Sequence, residues 1–189
     1  DTGAYYTPND VTNVITEQSV DPKLRDEIIE AYVDTLGDSD DDASIIRNQL
    51  EAKSLEEILQ RVEEGEGWYA DPDAIDTALD RISSLTVVDP ACGSGHFLTT
   101  AMDEIHRAQV SLMRGKMGDE PPAEERYDAK KTLALNSIYG VDIEPVGVEI
   151  AKLRVWLKMV EGNGWLPSFG RLPNIDVNIE SGNSLIGFP

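Results

Sequence analysis

Leu85-Thr86-Val87-Val88-Asp89 is a short apolar run ending on an acid, and Pro90-Ala91-Cys92-Gly93-Ser94-Gly95 follows it at once. Beyond the glycines, Phe97, Leu98, Ala101, Met102 and Ile105 recur at helical spacing. A buried strand that runs into a glycine turn and then an amphipathic helix is the opening of a parallel α/β unit. Such a unit needs a parallel neighbour, and Ser137-Ile138-Tyr139-Gly140-Val141-Asp142 supplies a second strand. The segment between, Gly115 to Asp128, is polar and contains prolines, which predicts a loop. Pro145 opens a helix reaching Val160, and a turn-rich link from Gly162 to Pro173 leads to a third strand at Ile175 to Glu180. Strand, helix, strand, helix, strand predicts a right-handed parallel sheet with helices on both faces.

The residues before this sheet have a different pattern. Val11, Val14 and Ile15 start a helix that the Asp21-Pro22 pair is expected to break. Leu24, Ile28, Ile29 and Val33 form a second helix ending at Gly37. Asp38-Ser39-Asp40-Asp41-Asp42 reads as an acidic loop, after which Ile45, Ile46 and Leu50 start a third helix. Ser54-Leu55-Glu56-Glu57 is a capping box, because the serine hydroxyl and the glutamate three positions on can satisfy each other's backbone amide. Asp71-Pro72 caps a further helix carrying Ile75, Leu79 and Ile82. Two segments are therefore expected: a mainly helical one over 1–84 and an α/β domain over 85–189.

Composition narrows the class. No apolar run approaches the roughly 20 residues that cross a bilayer, and one cysteine excludes a disulfide framework or a multi-cysteine zinc site. A soluble, cytoplasmic chain without a membrane partner is expected. It begins at Asp1 rather than Met, as an internal piece of a longer polypeptide would. Thirty-six acids face sixteen bases, a net charge of −20. An excess this diffuse repels itself in dilute salt and stays hydrated in concentrated salt, which reads as halophilic adaptation. An acidic domain that avoids nucleic acid has the same charge, so charge does not decide whether DNA is a partner.

The chemistry concentrates at two strand ends. Gly93 and Gly95 let the backbone pass close under a ligand at the carboxyl edge of the first strand. A dinucleotide loop would carry a third glycine where Leu98 stands. Asp89 at the strand end would repel a pyrophosphate but suits an ammonium or sulfonium group, which favours S-adenosylmethionine over NAD. A tight turn with no ligand would carry the same residues. Asp142 ends the second strand, where a carboxylate can accept both hydroxyls of a ribose and the apolar Ile143 can lie against adenine.

Four strings in fixed order carry a resemblance. Gly3-Ala4-Tyr5-Tyr6-Thr7-Pro8, Asp89-Pro90-Ala91-Cys92-Gly93-Ser94-Gly95-His96-Phe97, Gly140-Val141-Asp142-Ile143 and Ser181-Gly182-Asn183-Ser184-Leu185 stand as in the adenine-N6 DNA methyltransferases. The chain resembles their γ-type arrangement, and within it the methylases of restriction–modification and phage defence. The resemblance implies an α/β fold: the first strands of a Rossmann-like S-adenosylmethionine-dependent methyltransferase sheet, after a mainly helical segment. It implies S-adenosylmethionine as cofactor and DNA as partner of the intact protein. Tyr6 and Thr7 would close over the methionine end, although Tyr5 and Tyr6 could equally anchor the amino terminus. Asp89 and Ala91 would meet the methionine amino group or its waters, and Gly93 would give room. Asp142 would hold the ribose, Ile143 would pack on adenine, and Asn183 would bond the adenine edge. No metal is implied.

The family's catalytic string, Asn or Asp followed by Pro-Pro and an aromatic, is absent from the 189 residues. Glu120-Pro121-Pro122-Ala123 has the wrong acid, no aromatic and the wrong place. The expectation is the cofactor-binding part of a methylase cut before its catalytic loop, with no catalytic residue of its own. A stand-alone S-adenosylmethionine-binding or regulatory module, or a methylase of protein or RNA amides, stays open as an alternative. The charge carries its own prediction. The melting temperature rises as potassium chloride goes from dilute to molar, because screening removes repulsion. An osmotically matched sugar is the control, and equal melting temperatures in low and high salt would refute the halophilic reading.

Overall fold

The structure is a computed structural model, and it describes residues 7–161, 175 and 178–186. The described residues divide into two compact units. One comprises Asp1–Glu17, Thr86–Asp103 and Ala123–Pro189, and the other Gln18–Leu85 and Glu104–Pro122.

The helical unit is built on α1 (Asn9–Leu36) from Gln18 onward, α2 (Asp40–Glu51), α3 (Leu55–Glu63), α4 (Pro72–Ser83) and α5 (His96–Met117) from Glu104 onward, with a 3-10 turn at Gly67–Ala70. Leu24, Ile28, Tyr32, Leu50, Ile58, Leu59, Ile75, Ile82, Ile105 and Leu112 are fully buried in its core or nearly so. The Tyr32 hydroxyl donates to the Tyr69 carbonyl at 2.6 Å. Arg25 donates to the carbonyls of Glu51 (2.5 Å) and Lys53 (2.8 Å), which places a cation at the carboxyl end of α2, where the helix dipole favours one.

The caps form as the sequence indicates. The Ser54 hydroxyl accepts from the Glu57 amide at 3.2 Å, and the Glu57 carboxylate accepts from the Ser54 amide at 2.7 Å. Asp71 accepts from the amides of Asp73 and Ala74. Two expectations are corrected. Pro22 does not end the first helix, because α1 runs through it. A proline interior to a helix forfeits one backbone bond, and burial of Leu24, Ile28 and Ile29 just beyond holds the helix together. Nor is the acidic stretch a loop. Ser39 caps α2, and Asp40, Asp41 and Asp42 form its first turn, where negative charge is favourable.

The other unit is the sheet. β1 (Val87–Asp89), β2 (Ile138–Asp142) and β3 (Ile179–Ser181) pair in parallel in the order β1-β2-β3. The expected third strand lies four residues later than its expected start, with Ile175 buried outside it. α7 (Pro145–Val160) spans the residues read from the sequence. The expected loop from Gly115 to Asp128 is largely helix, since α5 continues to Met117 and α6 (Ala123–Asn136) begins soon after. α6 buries only Lys130, Leu133 and Ala134, too few to draw an apolar stripe.

α6 and α7 contact one another and both contact β2. α7 presents Val148, Ala151, Val155 and Met159 to the core, while Val146, Ile150, Leu153 and Leu157 are exposed. Among the described residues no helix is long and apolar enough to cross a membrane.

Candidate functional site

The carboxyl ends of the three strands bring the turns together. Register pairs Asp89 with Gly140 and Asp142 with Ser181, so the turns after β1, β2 and β3 emerge along one edge. The turn after β1 is left-handed twice, at Gly93 (φ +50°) and Gly95 (φ +77°). A side chain at Gly93 would meet nothing within 4 Å, so its backbone faces open space. A side chain at Gly95 would lie 2.7 Å from the Ala151 Cβ, so that glycine seats α7 against the turn.

Sequence reasoning missed two other glycines, both set by close approach. A Cβ at Gly147 would stand 3.1 Å from the Gly93 carbonyl oxygen. A Cβ at Gly140 would stand 2.8 Å from Leu98 Cδ1 and 3.0 Å from Cys92 Sγ. In a dinucleotide fold the third glycine of the turn lets helix and strand pack closely. Here the helix carries the buried Leu98, and the glycine that makes room stands on β2. Only the reciprocal size of residues 98 and 140 in the sequence hints at this.

Asp89 is half-buried, and its Oδ1 accepts from the Ala91 amide at 3.0 Å. Burial raises its carboxyl above the usual range and the Asp142 charge adds to this, while the Ala91 amide pulls it back. Asp142 uses both oxygens. Oδ2 accepts from the Gly93 amide at 2.7 Å and Oδ1 from the Glu144 amide at 2.9 Å. Its main-chain carbonyl accepts from Gly182 at 2.9 Å. Among the described residues neither carboxylate has an ion-pair partner. Two acids thus flank a glycine turn, with no cation paired to either among the described residues.

The remaining positions differ in what surrounds them. Ile143 is 74% exposed beside Asp142, and the Ala91 amide is committed to Asp89. Asn183 is exposed, and its Oδ1 accepts from the Leu185 amide at 3.0 Å, which turns it onto its own backbone. Thr7 lies exposed ahead of α1 with no hydrogen bond to the three turns among the described residues. Tyr6 lies outside the described residues. The structure therefore assembles Asp89, Ala91, Gly93, Asp142, Ile143 and Asn183 along one sheet edge and does not join Thr7 to them. Glu120-Pro121-Pro122-Ala123 falls in sequence between α5 and α6 and does not follow a strand.

Reactive groups nearby are quiet. Burial, with the charges of Asp89 and Asp142, pushes the Cys92 thiol up to about 12, so it stays protonated. Arg154 Nη1 stands 3.0 Å from His96 Nδ1. Guanidinium cannot accept, so the histidine nitrogen does and the ring is neutral. Burial lowers the imidazole, helped by Arg154 and Lys158. Lys152 pairs with Glu149, and Lys158 with Asp103 and Glu161, so these cations of α7 are already neutralised. Among the described residues no group of three or more histidine, cysteine, aspartate or glutamate residues could hold a metal ion.

Gly95→Ala combines a strained φ with a collision, whereas Gly118→Ala (φ +69°) has the φ alone, with nothing within 4 Å. The first is expected to cost about 2 kcal/mol or more and the second about 1 kcal/mol. Urea unfolding of the two variants beside the parent checks the difference. Equal losses would show that the contact with Ala151 yields freely.

Comparison with known proteins places the same segment. Residues 66–167, more than half of the chain, match the family described as MmeI, DNA-methyltransferase domain. A Methanocaldococcus jannaschii protein, described as a type II restriction enzyme and methyltransferase, is 33% identical over 98% of this chain and 15% of its own length. DNA methyltransferase A of Bacillus subtilis is 34% identical over 47% of this chain and 10% of its own. The adenine-specific methyltransferase PglX of Streptomyces coelicolor is 32% identical over 42% of this chain and 6% of its own. The chain thus spans 15% or less of each of these relatives. No solved structure matches it.

Proposed function

The chain belongs to the family of the MmeI DNA-methyltransferase domain, and on that premise we propose that it is the S-adenosylmethionine-binding part of an adenine-N6 DNA methyltransferase serving restriction–modification or phage defence. The observation that carries the reading is the pair of strand-end carboxylates, Asp89 and Asp142, without ion partners among the described residues, on either side of a glycine turn that opens at Gly93. The relatives named for restriction, DNA methylation and adenine specificity support the reaction class.

The donor set suits this cofactor. An ammonium or sulfonium group supplies the cation that two neighbouring acids favour. Open space over Gly93 admits a ligand against the backbone, and an exposed Ile143 offers an apolar face for a purine. When bound, S-adenosylmethionine supplies an electrophilic methyl group. The chain's part is to hold and orient it. Asp89 meets the methionine amino group, directly or through water. Asp142 accepts the ribose hydroxyls on lone pairs its amide bonds leave over, since a carboxylate has about four acceptor sites. Asn183 bonds the adenine edge, and the family resemblance alone assigns Tyr6 and Thr7 to the methionine end. None of the 189 residues forms an Asn/Asp-Pro-Pro-aromatic string, so the target amine and an extruded adenine are held by other parts of the protein. DNA is contacted there as well.

Two measurements test the reading. Calorimetry with S-adenosylmethionine is expected to show binding that weakens as pH falls through the raised Asp89 range. Protonation removes the charge that meets the cation, so affinity drops by up to about tenfold per pH unit below that range. Asp89→Asn is expected to bind weakly at every pH and to flatten the profile, and a parent without pH dependence would exclude Asp89 as the cation's partner. For the reaction, tritiated methyl transfer to adenine N6 in unmethylated DNA is expected from the full gene product and not from this chain. Transfer by the full product to protein or RNA but not DNA would overturn the DNA assignment.

A further inference from the structure

Asp142 does more than end a strand. Its Oδ1 closes a local turn on the Glu144 amide, while its Oδ2 reaches a residue 49 positions away, the amide of Gly93. Gly93 sits left-handed at φ +50°, a conformation open to the backbone but not imposed by it. Its carbonyl side is hemmed in by Gly147, where an added Cβ would come within 3.1 Å of the oxygen. Its amide side is held by the Asp142 carboxylate at 2.7 Å, a charge-assisted bond of the stronger kind. The neighbouring Cys92 amide donates to the Val141 carbonyl at 3.0 Å, and Gly95 donates to Cys92 at 2.8 Å. Those two bonds fix where the turn begins and ends, and the Asp142 bond fixes how the peptide between them is rotated.

We propose that Asp142 is a positioning residue: from the adjacent strand its carboxylate holds the Gly93 peptide in the ligand-binding shape, in addition to any contact it makes with the ligand. The proposal rests on the cofactor reading above for its consequence, and on hydrogen bonds within the protein for its substance. Both oxygens are required, because two amides point at one side chain. An asparagine offers one acceptor, and its NH2 faces the other amide. The local Glu144 bond survives in Asp142→Asn, since it spans two residues and costs little order, so the Gly93 bond is the one lost.

Amide hydrogen exchange of the ligand-free 189-residue chain tests the tie directly. In Asp142→Asn the Gly93 amide is expected to exchange about tenfold faster or more, with core amides such as Ala101 and Leu133 unchanged. Unchanged Gly93 exchange would overturn the proposal. If Asp142→Ala unfolds, every amide accelerates together, and Asp142→Asn remains the informative variant. Calorimetry then separates the two roles with S-adenosylhomocysteine and an analogue lacking both ribose hydroxyls. Asp142→Asn is expected to weaken the analogue by about tenfold, the share that passes through the turn, and S-adenosylhomocysteine by more. An unchanged affinity for the analogue would overturn positioning and leave ribose contact standing. Equal losses for both ligands would uphold positioning and remove Asp142 from the ribose. If the parent binds neither ligand, the cofactor reading falls, and Gly93 exchange still decides whether the tie exists.

Discussion

The candidate site depends on β2 being paired along both edges. Val87, Val88 and Asp89 lie against Ile138, Tyr139 and Gly140, and Ile179, Glu180 and Ser181 against Gly140, Val141 and Asp142. Parallel pairing of this kind forces every strand to deliver its carboxyl end to one rim, so three turns far apart in sequence become neighbours. Because the side-chain period of a strand is two, a slip of one residue would invert the faces and send Asp142 away from the Gly93 turn. The buried Ile138 and Ile179 oppose such a slip, since it would turn apolar side chains out to water. The positions of the carboxylates are in this sense set by hydrophobic residues that no ligand touches.

Much of this arrangement could be read from the chain itself. The Ser54 box, the Asp71-Pro72 cap and the helix from Pro145 to Val160 follow from local chemistry, and local chemistry is visible in sequence. The strand ends at Asp89 and Asp142 were legible for the same reason, as apolar runs that stop on an acid. α6 was not, because one of its three buried residues is Lys130, which leaves only the adjacent Leu133 and Ala134 as an apolar signal. The passage of α1 through Pro22 was not, because the proline's local penalty is offset by packing of residues from elsewhere in the chain. Gly140 and Gly147 were not, because what they avoid, Leu98 and the Gly93 carbonyl, lies across space. The Asp142 to Gly93 bond belongs with these: its residue type was legible, its partner was not.

Electrostatics at the rim contrasts with the rest of the molecule. Elsewhere many cations pair with neighbouring acids, as in Arg47 with Glu30, Lys116 with Asp76 and Lys158 with Asp103. Most of these pairs are exposed and contribute little to stability, about 0–1 kcal/mol each. Their effect is to leave no free basic stripe on α7. Among the described residues Asp89 and Asp142 have no such pairing and are held by backbone amides, which fix their direction without cancelling their charge. Raised by burial and by Asp142, the Asp89 carboxyl is a place where a cationic guest would relieve repulsion that the folded chain otherwise carries.

The contact between Leu98 and Gly140 has a consequence for how this turn can change over generations. Helix and strand share one volume there, filled from the helix side, with Cys92 occupying the remaining corner. A larger residue at 140 therefore asks both the Leu98 tip and Cys92 to give way, and a smaller residue at 98 leaves a hole until 140 has grown. Each single step passes through a poorly packed intermediate, either a cavity or a collision. Residues 98, 140 and 92 are therefore coupled through one shared volume. Drift from this arrangement toward one with the small residue on the helix requires paired substitutions, which makes the side that carries the glycine a durable mark of lineage.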